Sequence, residues 1–201
     1  MQSIPKTTKG VIISEDAPVK FGEFPLPELT ENDILLKVHS APINPSDQLF
    51  LTGHHLGSTT RPAVVGFEGS GLVVATGNSD KAKALLNKKV AFFGKAPSGT
   101  WAEHCVTSAD TAFPLPENVD YEQGCMSLVN PLTVQGFLNL CEDHKYTAVA
   151  SSAAASQVGR MFVKAAKEAG VTVINFVRRE AQVKILKDIG AEFVINRGQE
   201  G

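Results

Sequence analysis

The sequence predicts an α/β protein in two parts: a β-rich domain over residues 1–122, then the first half of a doubly wound parallel sheet over 123–201. Short β-branched and aromatic runs broken by Pro and Gly fill the first part. Near Pro116 the apolar spacing lengthens toward a helical period. From Thr147 onward strand-like and helix-like segments alternate, as a parallel sheet with crossover helices requires.

In chain order, "GVIIS", "DILLKVHSAPI", "GSGLVVATG", "KKVAFFG" and "TWAEHCV" read as strands bounded by turn residues. Their spacing suggests a partly closed barrel or packed sheets. "KAPSGT" reads as a loop, and "PLPEN" interrupts pairing because proline has no N–H for a ladder. "NVDYEQGCMSLVNPLTVQGFLNLC" holds helical stretches, with Pro131 placed to start or kink one. The alternation then runs strand 147–152, helix 158–169, strand 171–177, helix 181–189 and strand 192–195. Gly170 and Gly190 stand where helix C-caps belong.

Composition narrows the partners. Net charge is -2, which gives no reason to expect nucleic acid or an anionic membrane surface. No apolar run approaches the roughly 20 residues of a membrane helix. The start "MQSIPKTTKG" lacks a signal-peptide core and the Arg-rich pattern of many transit peptides. Cys105, Cys125 and Cys141 are few and widely spaced, so no disulfide framework is expected. The expected setting is the cytoplasm; a mitochondrial matrix protein relieved of its presequence would look the same.

The stretch "SSAAASQVG" carries the first candidate site. A dinucleotide-binding (Rossmann) turn brings a helix N-terminus against a pyrophosphate, so that free N–H groups and the helix dipole face the anion. Backbone makes that contact, so the side chains must be small. Ala153-x-x-Ser156-x-x-Gly159 meets this requirement with one glycine, where the usual fingerprint has three. Ala155, Ser156, Gln157, Val158 and Gly159 are the candidate cofactor-binding residues. Ser156 adds a hydroxyl, and Gly159 falls where helix and strand pack closely. The plainer reading is that a small-residue turn merely opens a well-packed helix.

Arg178 and Arg179 end the second strand of the series, where an NAD-preferring site carries an acidic residue on the ribose. Arginine there pairs instead with a 2′-phosphate through charge-assisted bonds, which points to NADPH. A solvated strand end is the competing account of the same two residues.

The succession "VHSAPINPSDQLFLTG", "RPAVVGFEGSGLVVATG", "SGTWAEHCV" and "VNPLTVQGFL" resembles the medium-chain dehydrogenase/reductase superfamily. Within it the chain is most similar to zinc-independent quinone reductases and trans-2-enoyl thioester reductases. The resemblance implies a GroES-like β domain followed by a Rossmann nucleotide-binding domain. It implies a zinc-free, NADPH-dependent oxidoreductase passing a hydride to a quinone or an activated double bond.

By the same resemblance Asn44 stands where zinc-dependent relatives place a metal-binding cysteine, and Phe67 replaces their ligand histidine, so no metal is expected. Asn44 is carried over as a catalytic candidate. Thr133 and Asn130, in "NPLT", correspond to residues near the nicotinamide. Enoyl reductases carry a tyrosine in the loop after "INPSD"; here the nearest counterpart is His55, beside His54, and an imidazole can act as an acid near neutral pH. A homodimer acting on a small-molecule substrate is implied. Family members continue well beyond "EFVINRGQEG", so the chain is expected to be part of a longer reductase, or a shortened relative serving as a structural component of an assembly.

Overall fold

The computed structural model describes residues 4–15, 19–52 and 61–198. The chain divides into two compact units, Met1–Leu128 and Val129–Gly201.

The first unit contains β1 (Thr7–Ile13), β2 (Lys20–Pro25), β3 (Asp33–Ser40), α1 (Pro45–Leu51), β4 (Ala63–Val64), β5 (Glu68–Thr76), α2 (Asp80–Ala84), β6 (Lys89–Phe93), β7 (His104–Ser108), β8 (Ala112–Pro114) and α3 (Tyr121–Gly124). Five strands form an antiparallel sheet in the order β7-β3-β5-β6-β8, and three more form a sheet in the order β2-β1-β4. The segment after Thr100 joins them. Val11 N–H donates to Trp101 O at 2.9 Å, Trp101 N–H to Val65 O at 2.8 Å, and Glu103 N–H to Lys9 O at 2.9 Å. "TWAEHCV" is therefore a strand only from His104 onward, because its first half divides its backbone bonds between two neighbours.

Both faces of the first half of β3 are buried, which explains the apolar run Ile34–Leu36, whereas Lys37 and His39 are exposed. Ile34 and Leu36 pack with Val73, Val90 and Phe92 and with Ala82 of α2. Leu35, pointing the other way, packs with Ala75 and Val106 under Leu26 and Leu29. Cys105 lies in the first of these clusters, and burial pushes its thiol up to about 12, far from a useful nucleophile. All three cysteines are free and buried.

The sequence puts the domain break at 122/123, whereas the division of the structure falls after Leu128. Here α3 is held to the first unit: Ser70 Oγ donates to Tyr121 O at 2.6 Å, and the His39 ring stacks on Tyr121 at 4.3 Å.

The second unit runs α4 (Val129–Asp143), β9 (Ala148–Ser151), α5 (Gln157–Glu168), β10 (Thr172–Val177), α6 (Glu180–Asp188) and β11 (Phe193–Asn196). Its parallel sheet has the order β11-β10-β9, the first half of a doubly wound sheet. Pro131 sits in the first turn of α4, where no intrahelical acceptor needs its missing N–H. One layer of core joins Val134 of α4 to Phe162, Ala166 and Val173; the next joins Ala154 and Val163 to Val177, Leu186 and Ala191. Gly170 and Gly190 follow α5 and α6 with φ of 71° and 88°, the left-handed conformation of a helix stop. Among the described residues no helix is long and apolar enough to cross a membrane.

Candidate functional site

The turn from Ser152 to Ser156 connects β9 to α5. Ser156 is the N-cap of α5, and its Oγ accepts the Gly159 N–H at 3.2 Å. That lone pair is engaged, and no acceptor for the hydroxyl is found among the described residues. Arg160 N–H is taken by Ser156 O at 2.9 Å, the first bond of the helix. The N–H groups of Gln157 and Val158 find no acceptor among the described residues. They are the open donors of this helix end.

Gly159 explains why one glycine suffices here. A Cβ on it would lie 2.2 Å from Ala154 O, 2.6 Å from Ala154 C and 2.8 Å from Ala154 Cα. The first turn of α5 therefore rests directly on the backbone of the loop, and no other residue fits. Ala153 supplies the second backbone requirement. Its φ of 51° is left-handed, a conformation that disfavours alanine by about 1 kcal/mol and that glycine adopts freely.

Beside this turn lies a cleft of about 530 Å³ lined by Ser152, Ala153, Phe176 and Gln182 and by Arg178, Arg179 and Arg197. Gln182, in the first turn of α6, accepts both Arg178 N–H and Arg179 N–H on its Oε1 at 3.1 Å. The backbone at the end of β10 is thereby fixed while both arginine side chains stay exposed. The structure brings the Arg pair and the Ala153 end of the turn to one cleft. Arg197, which the sequence does not single out, joins them from the end of β11. The signal lay in the parallel order: Val177 pairs with Asn196, so the residues after both strands emerge side by side.

Thr133 and Asn130 lie in the first turns of α4. Thr133 Oγ1 donates to Val129 O at 2.8 Å, a bond within its own helix, and the residue is exposed; Asn130 is half-buried.

The remaining candidates belong to the first unit. Asn44 precedes α1; its N–H donates to Asp47 Oδ2 at 2.6 Å and its Nδ2 to Glu68 Oε1 at 2.8 Å. Asp47 and Glu68 are both buried, so Asn44 serves as a hub between two carboxylates. Replacing Asn44 by Ala removes one of the donors to a buried carboxylate. The expected loss is about 1–3 kcal/mol of stability, read by urea unfolding; an unchanged midpoint would show the bond to be dispensable. Phe67 packs edge-on against Phe50, ring centroids 5.4 Å apart, in an apolar cluster with Ile13, Ala63 and Val65. Among the described residues no group of three or more His, Cys, Asp or Glu is arranged to hold a metal ion. His54 and His55 lie outside the described residues.

Residues 30–117 match the family model of the alcohol dehydrogenase GroES-like domain. The mitochondrial enoyl-acyl-carrier-protein reductase of Xenopus tropicalis is 32% identical over 174 residues, 84% of this chain and 49% of that protein. Mouse prostaglandin reductase-3 is 30% identical over 201 residues, 96% of this chain and 52% of that protein. Among solved structures, a Mesorhizobium loti chain provisionally named an NADPH:quinone reductase superposes with a TM-score of 0.89 at 33% identity, covering 98% of this chain and 62% of its own. The chain spans about half the length of the curated relatives it matches. Its GroES-like first unit, its half of a doubly wound sheet and these relatives agree: the chain belongs to the medium-chain dehydrogenase/reductase superfamily, in the branch of the quinone oxidoreductases and enoyl thioester reductases.

Proposed function

We propose that this chain belongs to a zinc-free, NADPH-dependent oxidoreductase that reduces a quinone or an activated, enoyl-type double bond. The observation that carries the reading is the turn before α5, with its open N–H donors, beside a cleft rich in guanidinium groups. The names of its relatives, an enoyl reductase and an NADPH:quinone reductase, support the reaction class.

The residues present fit the cofactor. Gly159 lets the first turn of α5 rest on the Ala154 backbone, and Gln157 and Val158 present N–H groups suited to a diphosphate. Ser156 offers its hydroxyl proton, and Ala155 keeps the loop small. Arg178 and Arg179 are the groups for the 2′-phosphate. Asn130 and Thr133 are assigned to the nicotinamide end. NADPH, when bound, supplies the hydride. On the substrate side, Asn44 is held in place by Asp47 and Glu68, and His55 is the proposed proton donor.

Fluorescence titration of the full chain with NADPH and NADH tests the reading. Tighter binding of NADPH is expected; equal affinity, or none for either, overturns it.

A specific feature favours a second reading, in which the chain serves as a structural component of a larger assembly. Among the described residues strand β9 pairs on one side only, with β10. Beside it Phe137, Leu140 and Tyr146 are 41%, 53% and 53% exposed and line an apolar groove of about 340 Å³. Open edges with apolar flanks invite association. Under this reading the chain elutes in a stable complex and turns over neither quinones nor enoyl thioesters.

A further inference from the structure

We propose that Arg197 is a specificity-determining residue of the cofactor cleft, closing on the ribose 2′-phosphate together with Arg178 and Arg179. The inference rests on the NADPH reading and adds to it a residue from a different strand.

The position of Arg197 is built by the backbone. Its N–H donates to Val177 O at 2.8 Å, continuing the β10–β11 ladder one step past the strand end. The next residue, Gly198, gives its N–H to Asn196 Oδ1 at 3.0 Å, which tightens the chain around Arg197. Asn196 Nδ2 in turn donates to Glu180 Oε2 at 3.2 Å, tying the end of β11 to the first turn of α6. Gly198 also lies hard against the Arg178 peptide: a Cβ there would stand 2.1 Å from Arg178 O and 3.0 Å from Arg178 C. Only glycine lets this segment come so close. The consequence is that Arg178 and Arg197 leave the backbone from segments in contact.

Charge gives the position its meaning. Three arginines line the cleft and no Asp or Glu is among its lining residues; the neighbouring Glu180 carboxylate accepts from Asn196 Nδ2. Three like charges around one cleft repel each other, and an anion bound there relieves that repulsion. A phosphate monoester carries about −1.5 to −2 charges and three acceptor oxygens. That is a better match to three forked donors than an unphosphorylated ribose hydroxyl, which offers neither charge nor enough lone pairs. Arg178 and Arg179 approach from the end of β10, and Arg197 approaches from the side of β11.

The test is calorimetric titration of the full chain with adenosine 2′,5′-bisphosphate and with adenosine 5′-monophosphate. The native chain is expected to prefer the bisphosphate. Arg197→Gln should weaken the bisphosphate by about tenfold and leave the monophosphate unchanged, the loss of one charge-assisted contact. Gly198→Ala keeps the guanidinium but displaces its segment, and should weaken the same ligand selectively; a thermal melt confirms that each variant is folded. Unchanged bisphosphate affinity in Arg197→Gln overturns the assignment, as does equal weakening of both ligands. If the native chain itself does not prefer the bisphosphate, the NADPH reading fails and takes this inference with it. A native preference that survives Arg197→Gln sinks the role of Arg197 alone.

Discussion

Gly159→Ala is expected to destabilise the second unit by about 3 kcal/mol, whereas Gly136→Ala in the preceding helix is expected to stabilise it. Both glycines are helical, so both substitutions gain helix propensity, at most about 1 kcal/mol. They differ in what the new methyl meets. At Gly136 there is nothing within 4 Å. At Gly159 the three nearest atoms all belong to the Ala154 backbone, the closest at 2.2 Å. No rotamer relieves a clash with backbone, so either α5 or the loop must move. Overpacking of this kind costs about 1–3 kcal/mol, and the upper end applies where nothing flexible can yield. The clash outweighs the propensity gain. The displacement also passes to the bond between Gly159 N–H and Ser156 Oγ, so the open donors of the helix end lose their aim. Urea unfolding followed by far-ultraviolet circular dichroism measures both variants. A Gly159→Ala chain as stable as the native one would mean that the turn and helix are not in the contact described.

The same glycine shows why this part of the fold is legible in the sequence. From β9 to β11 each element carries its own periodic pattern and its own punctuation. Gly170 and Gly190 end two helices, and the elements expected over 147–195 fall within two residues of those observed. The first unit is harder to read. Strand β2 holds Gly22 and ends at Pro25, and β4 is two residues long, so neither offers a period to detect. Strand β4 exists because β1 pairs with it, a tertiary fact with no local trace. Helices α1 and α2, of seven and five residues, are likewise too short to declare themselves.

The site divides in the same way. Small residues in the β9–α5 turn announce close backbone approach, and two adjacent arginines at a strand end announce charge. The role of Ser156 is less visible, because its side chain serves first as the cap acceptor for Gly159 N–H. The bond from Asn44 to Glu68 spans 24 residues and depends on how α1 meets β5. Arg197 becomes part of the cleft only once the register of β10 on β11 is known. Local pattern yields the elements and the turn; pairing across the sheet yields the partners.

Charge reversal at Arg178 is the second large effect. Arg178→Glu is expected to weaken NADPH by about a hundredfold while changing NADH little. The side chain is exposed and lines the cleft beside Arg179 and Arg197, and its backbone N–H is held independently by Gln182 Oε1. Folding is therefore expected to survive the substitution. Losing a charge-assisted contact to a phosphate amounts to about 1.5–3 kcal/mol. The new carboxylate adds repulsion toward the dianion, moderated by solvent and by the two remaining guanidinium groups. A total near 3 kcal/mol corresponds to about two orders of magnitude in affinity. NADH lacks the 2′-phosphate and should be spared, so the ratio of the two affinities isolates the effect from any general damage. Raising the salt concentration should narrow the difference between native and variant chains, since the interaction lies at the surface. An unchanged NADPH-to-NADH ratio would show that the guanidinium of Arg178 faces solvent rather than cofactor. A ratio that falls to near unity would place cofactor discrimination at the ends of β10 and β11, where the charge in the cleft is concentrated.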